Sequence, residues 1–424
     1  MRLLRIKVLF ILCVCSAGAY AQGIYPDDVG AALDDTVLQN YKTIHRQPEL
    51  GKAEFKTAKL VRSELERMGY ADFASVPALP TAVIAILDTG KPGPVTVLRS
   101  ELDARPGDEK SDLPFKSQVP HVMHSCGHDA HTAMLLGAAE YLMRHRADLV
   151  GKVVFLFQPA EEVAGGADDI VKDGILTRLQ ATSVFAQHVA PGLPVGAVLV
   201  QPGVVMAGST SFTVSLSGDG SHAAAPHDGS DIVRAAAELL VEFAQFPARH
   251  LNVVTQPTVV SVTHFVSGDH AALNVIPGKA VFEGTTRSFE DLRGGVRPGN
   301  LLDRLEKYLK AGAAARGLEA AVEWRVGAPV NVNSQKVFGW LAPALQKEWP
   351  GQLMFDGQRS MFSEDFAFYT AGTPSLFLNL GIAKDGLGEN GVHTDGFNLH
   401  PDALKAGTRL LITIARAANG PGAR

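Results

Sequence analysis

Residues 152–162 read KVVFLFQPAEE. Its core of valines, phenylalanines and leucine, with no polar alternation, is the pattern of a strand covered on both faces, which points to a parallel sheet flanked by helices. The same stretch delivers Glu161 and Glu162 just past the strand's C-terminal end, the edge where α/β proteins commonly place their sites. Adjacent side chains of an extended segment point opposite ways. The two carboxylates are therefore expected to divide their work, one binding a cation and the other facing a reacting water as general base.

The rest of the chain extends this reading. Asp27 to Tyr70 reads as two helices separated by HRQPELGK, followed by strands in TAVIAILD and VTVLR. Asp129 to His145 is a helix rich in Ala, Leu and Met, and ATSVFAQH (181–188) is a short apolar strand ending on a histidine. Strands alternating with helices indicate an α/β architecture with a mixed, helix-covered sheet. Around Gly208 the rhythm changes: SFTVSLSG alternates, and a β-α-β-β-α-β order runs to AAVEWRV. From Gln335 the helix–strand style returns. The expected layout is a two-domain chain, with a catalytic α/β domain (22–208 and 326–424) interrupted by an inserted α+β domain (209–325).

Bulk properties narrow the function. At 424 residues the chain is too long for one ordinary core. Its net charge of −5, without a basic run, argues against nucleic acid as a partner. MRLLRIK is basic, VLFILCVC apolar and SAGAYAQ small, the layout of a signal peptide over residues 1–21. The apolar run is too short for stable membrane insertion, so the expectation is export to the periplasm or the extracellular space. Cleavage would remove Cys13 and Cys15 and leave Cys126 alone, which excludes a disulfide within the mature chain.

Cys126 sits in HSCGHDAH (124–131), two positions before His128, in a Gly-containing turn ahead of a helix. Two soft or borderline donors in one loop make half of a metal site. Glu162, His188 and His393 (in NGVHTDGF) would raise this to five N, S and O donors from four segments. Each alone has an ordinary structural explanation. Together they suit two ions sharing one bridging ligand, and coordination would keep a lone thiolate both charged and shielded. A cysteine nucleophile with His124, His128 or His131 as base stays open, although it leaves Glu161, Glu162, His188 and His393 without a role. A redox role lacks a resolving cysteine.

The blocks HSCGHDAHTAMLLGAA, FLFQPAEEVAGGADDIVKDG, GDGSHAAAPHDGSD, ALNVIPGKAVFEGTTRSF and SEDFAFY occur in that order. With HRQPELGKAEFKTA and GVHTDGFNLHPDAL they resemble the M20 metallopeptidase family. The similarity is to its amidohydrolase branch of aminoacylases, hippurate hydrolases and auxin-conjugate hydrolases. That resemblance implies a dinuclear site with Cys126 bridging, His128, Glu162, His188 and His393 as further ligands, and Glu161 as general base. Asp103 would orient the site. Zinc or manganese suits the donors, with cobalt or nickel as further candidates. The inserted domain would be a lid and a homodimerisation surface. From it His222 would stabilise the oxyanion, in many relatives from the neighbouring subunit, while Asn274 and Arg287 would hold the substrate's amide and carboxylate. The implied substrate is an N-acyl amino acid or related small conjugate. RSELDARP (99–106) departs from the branch's approximate RADMDALP: Glu101 replaces an aspartate and Arg105 a leucine. Besides the cysteine nucleophile, the competing expectation is an exported metal- or solute-binding protein that catalyses nothing.

Overall fold

The computed structural model describes residues 27–163, 165–349, 351–355 and 358–422. The proposed signal peptide, with Cys13 and Cys15, lies outside the described residues.

The apolar strand Lys152–Gln158 is the third strand of an eight-stranded sheet. It runs parallel to Val95–Glu101, which is parallel to Ser183–Pro194, which is in turn parallel to Ser375–Ala383. Val83–Asp88 joins antiparallel on the other side, so the sheet is mixed. From Val153 to Gln158 every side chain is buried, as the unbroken apolar run requires. Two apolar clusters cover the two faces. One includes Phe155, Phe157 and the helices Asp27–Arg46, His128–Arg144 and Asp402–Asn419. The other includes Val154, Leu156, Ile170 and Phe366.

Parallel register decides where the chemistry lies. Glu101 is level with Gln158, and Arg99 with Ala186. His188 is level with Asn379. One edge of the sheet therefore carries Glu101, Gln158 and His188 in a row. One detail differs from the sequence expectation: His188 does not end its strand, which continues to Pro194 because Ser375–Ala383 keeps pairing beyond it.

Residues 208–326 build a separate four-stranded antiparallel sheet, ordered Thr258–Ser267, Lys279–Ser288, Gly208–Ser217, Glu319–Val326. The helices Ile232–His250 and Leu301–Ala314 cover one face through a third apolar cluster that includes Phe212, Phe243, Phe282 and Leu305. The strand Glu319–Val326 alternates exposed and half-buried positions, the mark of a sheet with one open face. Ser221–His222 and Val275–Ile276 form a two-stranded ribbon beside it. Among the described residues, no helix is long and apolar enough to cross a membrane.

Candidate active site

The Cys126–His128 turn depends on Gly127. Its φ of +88° is in the left-handed region, and a Cβ there would lie 2.6 Å from Val189 Cγ2. Only glycine tolerates both conditions, and the reversal sets Cys126 and His128 on the same side. Two further donors follow or occupy strained backbone. Ala160, just before Glu161, has φ +60°, and His393 itself has φ +66°. Such conformations cost about 1–3 kcal/mol each and persist where surroundings enforce them. The enforcing contacts are visible. Glu54, fully buried, accepts the Ala160 N–H at 2.8 Å, and the His393 N–H donates to the Ser125 carbonyl at 2.7 Å.

Glu161 and Glu162 occupy a turn, not the extended segment expected from the sequence. Their carboxylates still separate, because the turn rather than the pleat directs them. Glu162 Oε1 is 3.3 Å from His393 Nε2, and its Oε2 is 3.1 Å from Arg105 Nε. Glu161 lies 4.0 Å from His128 Nε2 and accepts from the Asp365 N–H at 3.4 Å.

Cys126 is the hinge of the site. Its Sγ belongs to one close donor group with His128 and His188, and to a second with Glu162 and His393. Within each group the donor atoms lie within 4.8 Å of one another. The Sγ–His188 Nε2 distance is 3.4 Å. His128 points Nδ1 at the Asp103 carbonyl, 2.8 Å away, which leaves Nε2 to face the group. His188 likewise sets Nδ1 against the Val189 carbonyl at 2.8 Å. Asp103 also accepts the Glu162 N–H at 2.9 Å, so one residue orients two of the donors.

The donor set fits a metal. His128 Nε2 and Glu162 Oε1 are buried without a hydrogen-bond partner among the described residues, a cost a coordinated cation would remove. Burial pushes the Cys126 thiol up to about 12, so a thiolate there needs a cation beside it. Burial also pushes His188 down to about 4, keeping its ring neutral and its lone pair available. Against its burial, Cys126 and Asp103 hold the His128 imidazole well above its usual range, so it is the raised thiol that speaks against a thiolate–imidazolium nucleophile pair. Glu161 is different again: burial, then the charges of Glu364 and Asp365, raise it well above the usual carboxylate range, as suits a base working near neutrality.

His131 supports the turn, whereas both ring nitrogens of His124 are buried without a hydrogen-bond partner among the described residues. His131 places Nδ1 2.7 Å from Glu101 and accepts the Val189 N–H through Nε2 at 3.0 Å. Glu101, one of the two departures, pairs with the fully buried Arg99, which also meets Glu364 at 2.9 Å and Asp365 at 2.7 Å. Sequence reasoning assigned no role to Arg99, Glu364 or Asp365. The available signal was a charge inside an apolar strand, since a buried arginine demands carboxylates from elsewhere in the fold.

A cleft of about 880 Å³ lies over the donors. Its wall takes in Cys126, Glu161, Glu162, His188 and His393, together with Ser209 and Arg287 from the four-stranded sheet. Leu193, Met206, Phe362 and Phe377 supply apolar surface, and Arg105 also borders it. His128 is buried at the base. His222 and Asn274 do not line the cleft. Both are exposed on the two-stranded ribbon, where the Ala223 N–H donates to the Asn274 carbonyl at 2.9 Å. The structure therefore brings Arg287, but not His222 or Asn274, to the donors within one chain.

Residues 97–417 match the model of peptidase family M20/M25/M40. The chain is 33% identical over 384 residues to an N-acetylcysteine deacetylase of Bacillus subtilis, covering 91% of this chain and 97% of that one. It is 34% identical over 379 residues to the Arabidopsis thaliana IAA-amino acid hydrolase ILR1-like 4, covering 88% and 83%. Among solved structures, a dinuclear metal-binding peptidase of the M20 family from Bacillus subtilis superposes with a TM-score of 0.77 at 30% identity, covering 91% and 98%. With the donor groups and the raised Glu161 carboxyl in view, the chain belongs to peptidase family M20/M25/M40, and its chemistry is the hydrolysis of amide bonds.

Proposed function

We propose that the protein releases the acyl group from N-acylated amino acids or closely related small conjugates, using two divalent cations. The observation that carries this reading is that Cys126 is common to two donor groups, so one thiolate could bridge two ions. Cys126, His128 and His188 would hold one ion, and Cys126, Glu162 and His393 the other. Bound there, zinc or manganese (cobalt or nickel also meet the donor chemistry) would supply Lewis acidity towards an acyl oxygen and acidify water. Glu161 takes the proton of the attacking water and returns it to the leaving amine. Arg287 offers a guanidinium with no paired carboxylate among the described residues, suited to the amino acid's carboxylate. The apolar wall would receive the acyl group or side chain.

His222 and Asn274 would act from a second copy. Supporting this, the ribbon that carries them exposes Leu273 and Val275, and the edge strand Thr258–Ser267 exposes Val259, Phe265 and Val266. We propose a homodimer closed through these elements, and export directed by residues 1–21.

The test is a hydrolysis panel of acetyl, benzoyl and indole-acetyl amino acids with dipeptides, run with chelator and after metal add-back. Chelation should abolish activity and metal should restore it, with Cys126→Ser weakening metal binding. Absence of hydrolysis by metal-replete protein would sink the reading. So would inactivation by iodoacetamide combined with indifference to chelator, which would favour the thiol nucleophile.

A further inference from the structure

We propose that Arg105 forms an anion subsite in the cleft, so that the preferred substrates carry a second carboxylate besides the one met by Arg287. The inference rests on the amide-hydrolase reading above and names the substrate class within it.

Arg105 follows Asp103 closely and its backbone is fixed by pairing with Met123. Its side chain borders the cleft and is 30% exposed, whereas its partner Glu162 is only 11% exposed. The contact uses Nε, 3.1 Å from Glu162 Oε2. The two terminal nitrogens have no hydrogen-bond partner among the described residues. An arginine carries five N–H donors in a fixed fork, and the unused edge matches a carboxylate bidentately. Leucine, the residue in the resembling pattern, has no such donors.

Charge balance points the same way. In this structure Glu162 neutralises Arg105. Glu162 is also a ligand candidate through Oε1, and a divalent cation there would draw on the same single negative charge. Arg105 would then share its one carboxylate with the cation, leaving its partly exposed fork open to an anion supplied by a ligand. Arg287, reaching the cleft from the other sheet, is half-buried, and burial alone lowers its proton affinity. Two guanidinium groups from separate sheets, both with donors to spare, suit a dianionic substrate better than a monoanionic one. The second carboxylate could belong to an acidic amino acid or to a dicarboxylic acyl group.

The experiment compares kcat/KM of the metal-loaded enzyme for N-acetyl-aspartate, N-acetyl-glutamate, N-succinyl-leucine and N-acetyl-leucine. Wild type should favour at least one dianion over N-acetyl-leucine. Arg105→Leu should lower that ratio by about ten-fold or more, chiefly through KM, with partial recovery in Arg105→Lys. The dianion whose advantage collapses identifies the source of the second carboxylate. An equal loss across all four substrates would mean that Arg105 only orients Glu162, and would overturn the proposal. Wild-type preference for N-acetyl-leucine would do the same. Calorimetric affinities for N-acetyl-aspartate, N-succinyl-leucine and N-acetyl-leucine, measured on metal-loaded Glu161→Gln with and without Arg105→Leu, provide a readout independent of turnover. If nothing in the panel is hydrolysed, the amide-hydrolase reading fails by itself. A dianion advantage in affinity that Arg105→Leu abolishes would still support the subsite, and equal affinities would overturn it.

Discussion

The two walls of the cleft are made by different physics. On the side of the eight-stranded sheet, the donors are held by buried hydrogen bonds and by strained backbone at Ala160 and His393. Nothing there has to move for Cys126 to stand between two donor groups. On the side of the four-stranded sheet, Arg287 and Ser209 reach the cleft, while His222 and Asn274 stand in solvent on a short ribbon. Preorganisation belongs to the first wall, whereas the second would be completed by the second copy proposed above. A site built that way would bind cations while still incomplete for catalysis.

Four experiments separate the walls. The largest effect is expected from Glu161→Gln, which removes the base from the rigid wall: kcat should fall by up to about 10,000-fold. Metal content, measured by plasma emission, should stay at the wild-type level; loss of metal would make Glu161 a ligand instead. Next is His222→Ala on the assembling wall, expected to lower kcat by about 100- to 1,000-fold if it donates to the oxyanion. Mixing it with Glu161→Gln should recover activity in hybrid dimers, because each copy would supply what the other lacks. No recovery on mixing would place His222 outside the partner's site. Asp103→Asn tests the support of the rigid wall, with metal affinity in chelator competition expected to drop roughly 10- to 100-fold. An unchanged affinity would show that the donors are held without it.

The smallest effect on catalysis should come from beneath the rigid wall. His45 is buried between Asp129, at 2.6 Å, and Glu109, at 3.1 Å, and so pins the helix of His128 to the first helix. Burial opposes its protonation, yet those two carboxylates raise it to about 9. A raised histidine contributes stability that is fully present below its unfolded value near 6.5 and is lost as pH rises through about 9. Linkage puts this at about 3 kcal/mol. Denaturant midpoints between pH 6 and pH 10 should therefore fall in wild type and flatten in His45→Gln. Parallel curves would remove the charged histidine from the account.

Much of the rigid wall was legible in the sequence. An unbroken apolar strand running into Glu161–Glu162 requires a covered parallel sheet, and such a sheet carries loop residues to one edge. Cys126, His128 and His393 follow because each opens or flanks such an element, and His188 because its strand carries it past the same edge. The turn at Glu161–Glu162 was less legible, since its direction is set by Glu54, more than 100 residues away in the chain. Arg99 with Glu364 and Asp365 was harder still. Their pairing is a matter of which strands become neighbours, and no local pattern encodes it.

By itself, then, the sequence determined the α/β class, the family resemblance and the chemical kinds of side chain available, because periodicity and residue type are local properties. Only the tertiary structure decided that Cys126 stands in two donor groups at once, that Arg105 touches Glu162 at the cleft wall, and that His222 lies outside the cleft of its own chain. Those are distances between segments remote in sequence, fixed by register and packing across the whole chain.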